Sequence, residues 1–185
     1  MQRLSALAAL LAATTLTACA AGGPTTDEAR MVKLAQDIQA RGDAETAAGL
    51  YERAAKLSKD PVGAHIRMGN ALLDAGQPDR AAAAFRTALN ADPGNGEGLL
   101  GLGTAQLRAD QVESAVRTLA AAAPQVQSSA AYNRLGTAMI LTGDAAGAEK
   151  AFRDAAEIEP MNLDTQNNIA LAQAISGQGA ASIET

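Results

Sequence analysis

The chain holds one histidine, His65, and one cysteine, Cys19. A nucleophilic triad needs a base, an orienting partner and a nucleophile together, and a zinc site needs three or four ligands. Neither set can be assembled from one of each. His65 falls on a packing position of a predicted helix. Gly101 and Gly103 look like a phosphate loop only out of context: no strand precedes them, and they lie at helical positions. The carboxylates are scattered over turns and outer faces with no paired acid motif. The sequence therefore predicts no catalytic residue, no metal site and no cofactor, and the chain reads as a non-enzyme. What remains is a set of cations and side-chain amides, and a cysteine close to the N-terminus.

The 185 residues suffice for one ordinary domain with a sizeable core. Only 2% are aromatic, with no Trp, and alanine is abundant, which favours closely packed helices over a sandwich or barrel. A net charge of −5 argues against nucleic acid as a partner. A single cysteine excludes a disulfide framework within the chain.

The elements that must position these residues are clearest in residues 62–95. Met68, Gly69, Leu72 and Leu73 mark one helix, and Gly76 ends it in a left-handed cap. Pro78 opens a second helix, where its missing N–H costs nothing. Ala81, Phe85, Ala88 and Leu89 form the buried stripe of that helix, and Asp92-Pro93 stops it. Such a pair cannot bury its own apolar face alone, and the chain supplies neighbours at a period of about 34 residues. Residues 28–61, 62–95, 96–128 and 129–162 are four units, followed by a half unit. Small residues recur at the eighth place (Ala35, Gly69, Gly103, Gly136, Ala170), and alanine at the twentieth (Ala47, Ala81, Ala115, Ala148). A large residue recurs at the twenty-fourth (Tyr51, Phe85, Leu119, Phe152). The first two sets let paired helices approach closely, and the third fills the gap between pairs.

These positions resemble the tetratricopeptide repeat. The expected fold class is all-α: a solenoid of about four helix pairs and a C-terminal capping helix over residues 28–177. The third unit departs from the pattern. Asp110 replaces the turn glycine, the unit is one residue short, and Pro124 is expected to end its second helix early, leaving residues 125–128 as an irregular link. A local change of geometry or a small hinge is expected there. The last helix, near residues 163–176, carries Asp164, Gln166, Asn167, Asn168 and Gln173 and suits a water-facing cap. Residues 178–185 read as a disordered tail.

The N-terminus is an address. Arg3 precedes a short apolar stretch, residues 4–16, and Leu16-Thr17-Ala18-Cys19 resembles the lipobox of bacterial lipoproteins. That resemblance implies a signal peptide over residues 1–18 and lipidation of Cys19, with palmitate among the acyl chains. Each buried methylene contributes about 0.8 kcal/mol to such an anchor. Residues 19–27 then form the lipidated cysteine and a flexible tether. Ala20, not Asp, follows the cysteine, which by the same resemblance implies the outer membrane and its periplasmic face.

In solenoids of this kind the first helix of each pair lines a groove. The residues expected to face it are Lys33 and Gln36 beside Val32, then Ile66, Arg67, Asn70 and Leu73. Leu100, Thr104 and Leu107 follow, then Asn133, Arg134, Thr137 and Ile140, and last Asn167 and Asn168 beside Leu171. An apolar floor with amides and cations suits an extended or helical peptide, with Arg67 or Arg134 meeting a carboxylate. Some tetratricopeptide domains clamp a C-terminal carboxylate, but Val32 stands where the first clamp lysine would be. The closing segment NNIALAQAISGQ, the anchor and the repeats together resemble the TadD family of Flp (tight-adherence) pilus assembly lipoproteins. This resemblance implies a pilotin-like role toward an outer-membrane secretin. A type IV pilus pilotin, a scaffold for barrel assembly or cell-wall synthesis, and a regulatory subunit of an envelope enzyme are the alternatives. Oligomeric state is left open.

Overall fold

The structure, a computed structural model, describes residues 26–183, with side chains from 27 to 177. The signal segment, Cys19 and nearly all of the tether lie outside the described residues. Nine helices follow one another among the described residues: α1 (Thr26–Ala40), α2 (Ala44–Leu57), α3 (Pro61–Asp74), α4 (Pro78–Ala91), α5 (Gly96–Arg108), α6 (Val112–Val126), α7 (Ser129–Leu141), α8 (Ala145–Ile158) and α9 (Leu163–Ile183). Each packs on the next, giving four antiparallel pairs and a final helix. First helices also touch across repeats, α3 on α5, α5 on α7 and α7 on α9, so they form the inner side of the curve. No helix among the described residues is long and apolar enough to cross a membrane.

Short polar side chains start most of these helices. Asp43, Asp60, Asn95, Ser128, Asp144 and Asn162 each accept the backbone N–H three residues on, at 2.9–3.2 Å. A cap of this kind stabilises a helix by about 1 kcal/mol. Pro61 and Pro78 occupy first-turn positions of α3 and α4.

The eighth-place glycines are where pairs close. A Cβ on Gly69 would come within 2.7 Å of the Phe85 ring, and one on Gly103 within 2.6 Å of Leu119. On Gly136 it would stand 2.5 Å from Phe152. Gly101 meets Phe85 from the next pair, closer still, so the Phe85 ring is held between two glycines of successive first helices. The twentieth-place alanines are all fully buried, as are Phe85 and Leu119.

The third pair keeps its turn and shortens its link. Asp110 adopts φ 58°, beside 87°, 70° and 82° for Gly42, Gly76 and Gly143. Gln111 N–H donates to Gln106 O at 2.8 Å, the counterpart of Gln77 to Leu72 at 2.8 Å and Asp144 to Met139 at 2.9 Å. Pro124 does not end α6, contrary to expectation; it lies inside the helix, which runs to Val126. Ala120, the carbonyl that loses its donor, belongs to an exposed residue, and Gln127 N–H closes the end on Ala123 O at 2.9 Å. Gln127 turns the chain with φ 48°, so the expected four-residue link shrinks to residues 127–128. The last helix also exceeds its expected end near Ser176. It runs on through Gly177 to Ile183, taking most of the expected tail 178–185 into helix.

Candidate peptide-binding face

The first helices α3, α5 and α7 enclose an open hollow of about 360 Å³ on the inner side. Six of the residues read from the sequence meet there: Ile66, Asn70, Leu73, Leu100, Thr104 and Arg134. Repeat register brings them together, because equivalent places on successive first helices stack side by side. Ile66 and Leu73 are buried and make the apolar floor, with half-buried Leu100. Asn70 and Arg134 are exposed at the rim. The Thr104 hydroxyl donates to Leu100 O at 2.8 Å, and Thr137 does the same to Asn133 O at 2.9 Å on α7. Both hydroxyls are thus engaged by their own helices.

The structure adds Asp74, Glu97, Gly101 and Arg108 to the lining. Arg108 Nη1 donates to Leu73 O at 2.6 Å, satisfying a carbonyl at the end of α3. Gln39 Nε2 donates to Asp74 at 2.6 Å, and the Tyr51 hydroxyl reaches Gln39 Oε1 at 3.3 Å, so α1, α2 and α3 are tied by one chain of hydrogen bonds. Burial pushes the Tyr51 phenol above its ordinary range, with nearby Arg67 opposing the shift. Asp74 and Arg108 share the thirteenth place of their units. That register signal was available in the sequence beyond the places chosen there.

Arg67 does not enter this hollow. It lines a separate one of about 420 Å³ with Val32, Ser58, Lys59 and Asp60, and its buried Nε has no hydrogen-bond partner. Lys33 and Gln36 are exposed on α1. Leu107 packs against the α6–α7 core and Ile140 against the Phe152 cluster. Asn133 Nδ2 donates to buried Thr165 Oγ1 at 2.8 Å, and Asn168 Nδ2 to Asn133 Oδ1 at 3.4 Å. These two amides join α7 to α9, which leaves Gln36, Asn70 and Asn167 as the exposed amides among the residues expected to face the groove.

His65 lies on the outer side, in a shallow hollow with Glu52, Met68 and Arg80. Its Nδ1 is 2.7 Å from Pro61 O; a carbonyl only accepts, so this nitrogen carries the proton. Among the described residues no group of three His, Cys, Asp or Glu side chains could hold a metal ion.

A family model for the tetratricopeptide repeat matches residues 72–140, which span α4 to α6 and most of α7. The fold is a tetratricopeptide-repeat solenoid. Solved tetratricopeptide structures extend the likeness over most of the chain. MamA from Desulfovibrio magneticus RS-1 superposes with a TM-score of 0.76 at 20% identity, covering 88% of this chain and 92% of that one. YrrB, a tetratricopeptide protein with an unusual peptide-binding site, gives 0.66 at 22% identity over 82% of this chain and 78% of its own. Pseudomonas aeruginosa PilF gives 0.70 at 18% identity, covering 82% and 70%. No curated protein matches the chain by sequence. The tetratricopeptide-repeat fold is a scaffold for protein interaction.

Proposed function

We propose that this chain is a non-catalytic lipoprotein that holds a segment of an envelope protein on its inner face. The observation that carries the reading is the hollow between α3, α5 and α7. It combines an apolar floor with guanidinium groups at its rim, the composition of a peptide groove. Cys19 in its lipobox-like setting supports a lipid anchor at the periplasmic face of the outer membrane. The resemblance of the repeats and the closing segment to TadD supports a pilotin-like role, in which the partner is the secretin of a Flp pilus.

Affinity capture of the lipidated protein from membranes tests this, with Cys19→Ser and Arg134→Glu variants alongside. Recovery of a secretin by the native chain, lost with Arg134→Glu, is the expected result. Recovery by every variant would keep the partner and remove the inner face as its site. A cell-wall enzyme or barrel-assembly component recovered without secretin would overturn the pilus role.

A further inference from the structure

We infer that the inner face selects a segment carrying a carboxylate about three residues from an apolar side chain. This rests on the peptide-binding reading above and specifies its ligand. The inner face changes character at α7. Pairs two and three place Asn70 and Thr104, then Asp74 and Arg108, at the ninth and thirteenth places. The thirteenth place is Leu141 on α7, and the same two places on α9 are Leu171 and Ile175. These three side chains are 63%, 51% and 38% exposed. Repeat register aligns Leu141 with Ile175, and the Asn133–Thr165 and Asn168–Asn133 hydrogen bonds hold α7 and α9 together. The result is a bare apolar patch at one end of the inner face.

Charge complementarity says what covers it. On the second helices Lys56, Arg80 and Arg153 meet carboxylates, and Arg53, Arg86, Arg117 and Lys150 do not. Among the described residues Arg108 and Arg134, both on the inner face, meet none within ion-pair distance. Asp74, in the same hollow, is held by Gln39, and Glu97 lies at the opposite end of α5 from Arg108. In a chain of net charge −5 these two guanidiniums are a complement for carboxylates brought by a partner. A second copy would present the same cations from this face. Arg134 and Leu141 share a face of α7, about 10 Å apart at ~1.5 Å per residue. Roughly three residues of extended chain, at about 3.3 Å each, span that distance.

The test is binding of labelled synthetic peptides to the full chain in detergent. The probes are Asp-Gln-Ala-Leu-Ala-Leu, its Lys-for-Asp counterpart, a form with Asp moved beside the first Leu, and the reversed sequence of each. The spaced Asp peptide is expected to bind about tenfold more tightly than the Lys peptide in at least one direction. Arg134→Glu should abolish or invert that preference, and Leu171→Asp should weaken both peptides alike. Both substitutions fall at exposed positions, and circular dichroism confirms the fold. Binding without charge or spacing preference, or a preference untouched by Arg134→Glu, overturns the inference and leaves the groove reading standing. So does the absence of all peptide binding while the membrane partner is still captured. A concentration-dependent dimer abolished by Leu171→Asp would give the patch to a second copy and overturn it as well.

Discussion

Helix pairs two and three have the same plan and different fillings. In pair two, Leu72 is fully buried on α3, Phe85 closes against Gly69, and Gly76 makes the turn. In pair three the corresponding residues are Gln106, Leu119 and Asp110. Leu119 fits Gly103 as closely as Phe85 fits Gly69, and the turn keeps its hand and its hydrogen bonds. Repeat geometry is therefore set by the pattern of small against large and by the sign of one dihedral. Residue identity sets how much each repeat contributes to stability.

The largest effect is expected at Phe85, because its ring serves two interfaces. Phe85→Ala should destabilise by about 3–5 kcal/mol in chemical denaturation, more than Leu119→Ala at the equivalent place. Equal losses would mean that Gly101 gains nothing from the ring. Gly101→Arg sharpens the point, since Arg67 and Arg134 occupy the same place in pairs two and four. The added Cβ overlaps Phe85, so a loss of about 1–3 kcal/mol is expected. A Phe85→Leu background should recover part of that loss, and a double-mutant cycle measures how much.

Two substitutions should move pair three toward pair two. Gln106 is buried, 7% exposed, and its Oε1 has no hydrogen-bond partner. Gln106→Leu, the residue of pair two, should stabilise by about 1–2 kcal/mol. Asp110→Gly should stabilise by about 1 kcal/mol, because a left-handed conformation is unfavourable for a residue with a Cβ. Gly76→Asp should cost about the same in pair two. Thermal or urea unfolding reads all three, and no change for Asp110→Gly would mean that the aspartate relieves its own turn locally.

Much of this fold was legible because its determinants are local and periodic. Gly76, Pro78, Ala81 and Phe85 each state one requirement, and the repeat states it again in the next pair. Proline removes one helical hydrogen bond and so reads as a stop, yet α6 runs two residues past Pro124, where the carbonyl left without its donor belongs to exposed Ala120. The small, polar composition of residues 177–185 reads as a tail, yet α9 continues through Gly177 to Ile183, since glycine only weakens a helix interior. The inner face was half legible. Register located Ile66, Leu73, Leu100 and Arg134, but it did not show that Asn133 and Asn168 bond each other, or that Arg67 turns into a different hollow. Those outcomes depend on which neighbour each side chain reaches across helices, and spacing along the chain does not encode that.

The smallest effect concerns how pairs begin. The second helix of pair one is capped by Asp43, whereas Gln77 and Gln111 make no side-chain cap in pairs two and three. Thr46, through its side chain first and its backbone N–H second, holds the Asp43 carboxyl below the ordinary 3.8. A lowered folded-state value means that the carboxylate stabilises the fold above the unfolded value and that this contribution fades as pH falls through the folded one. Asp43 is fully exposed, so solvent keeps the effect small. Melting temperatures over roughly pH 5 to 2 should therefore converge between the native chain and Asp43→Ala as acid removes the charge. A gap that stays constant to the lowest pH would assign the cap to hydrogen-bond geometry alone, and α2 would then differ from α4 and α6 in shape and not in charge.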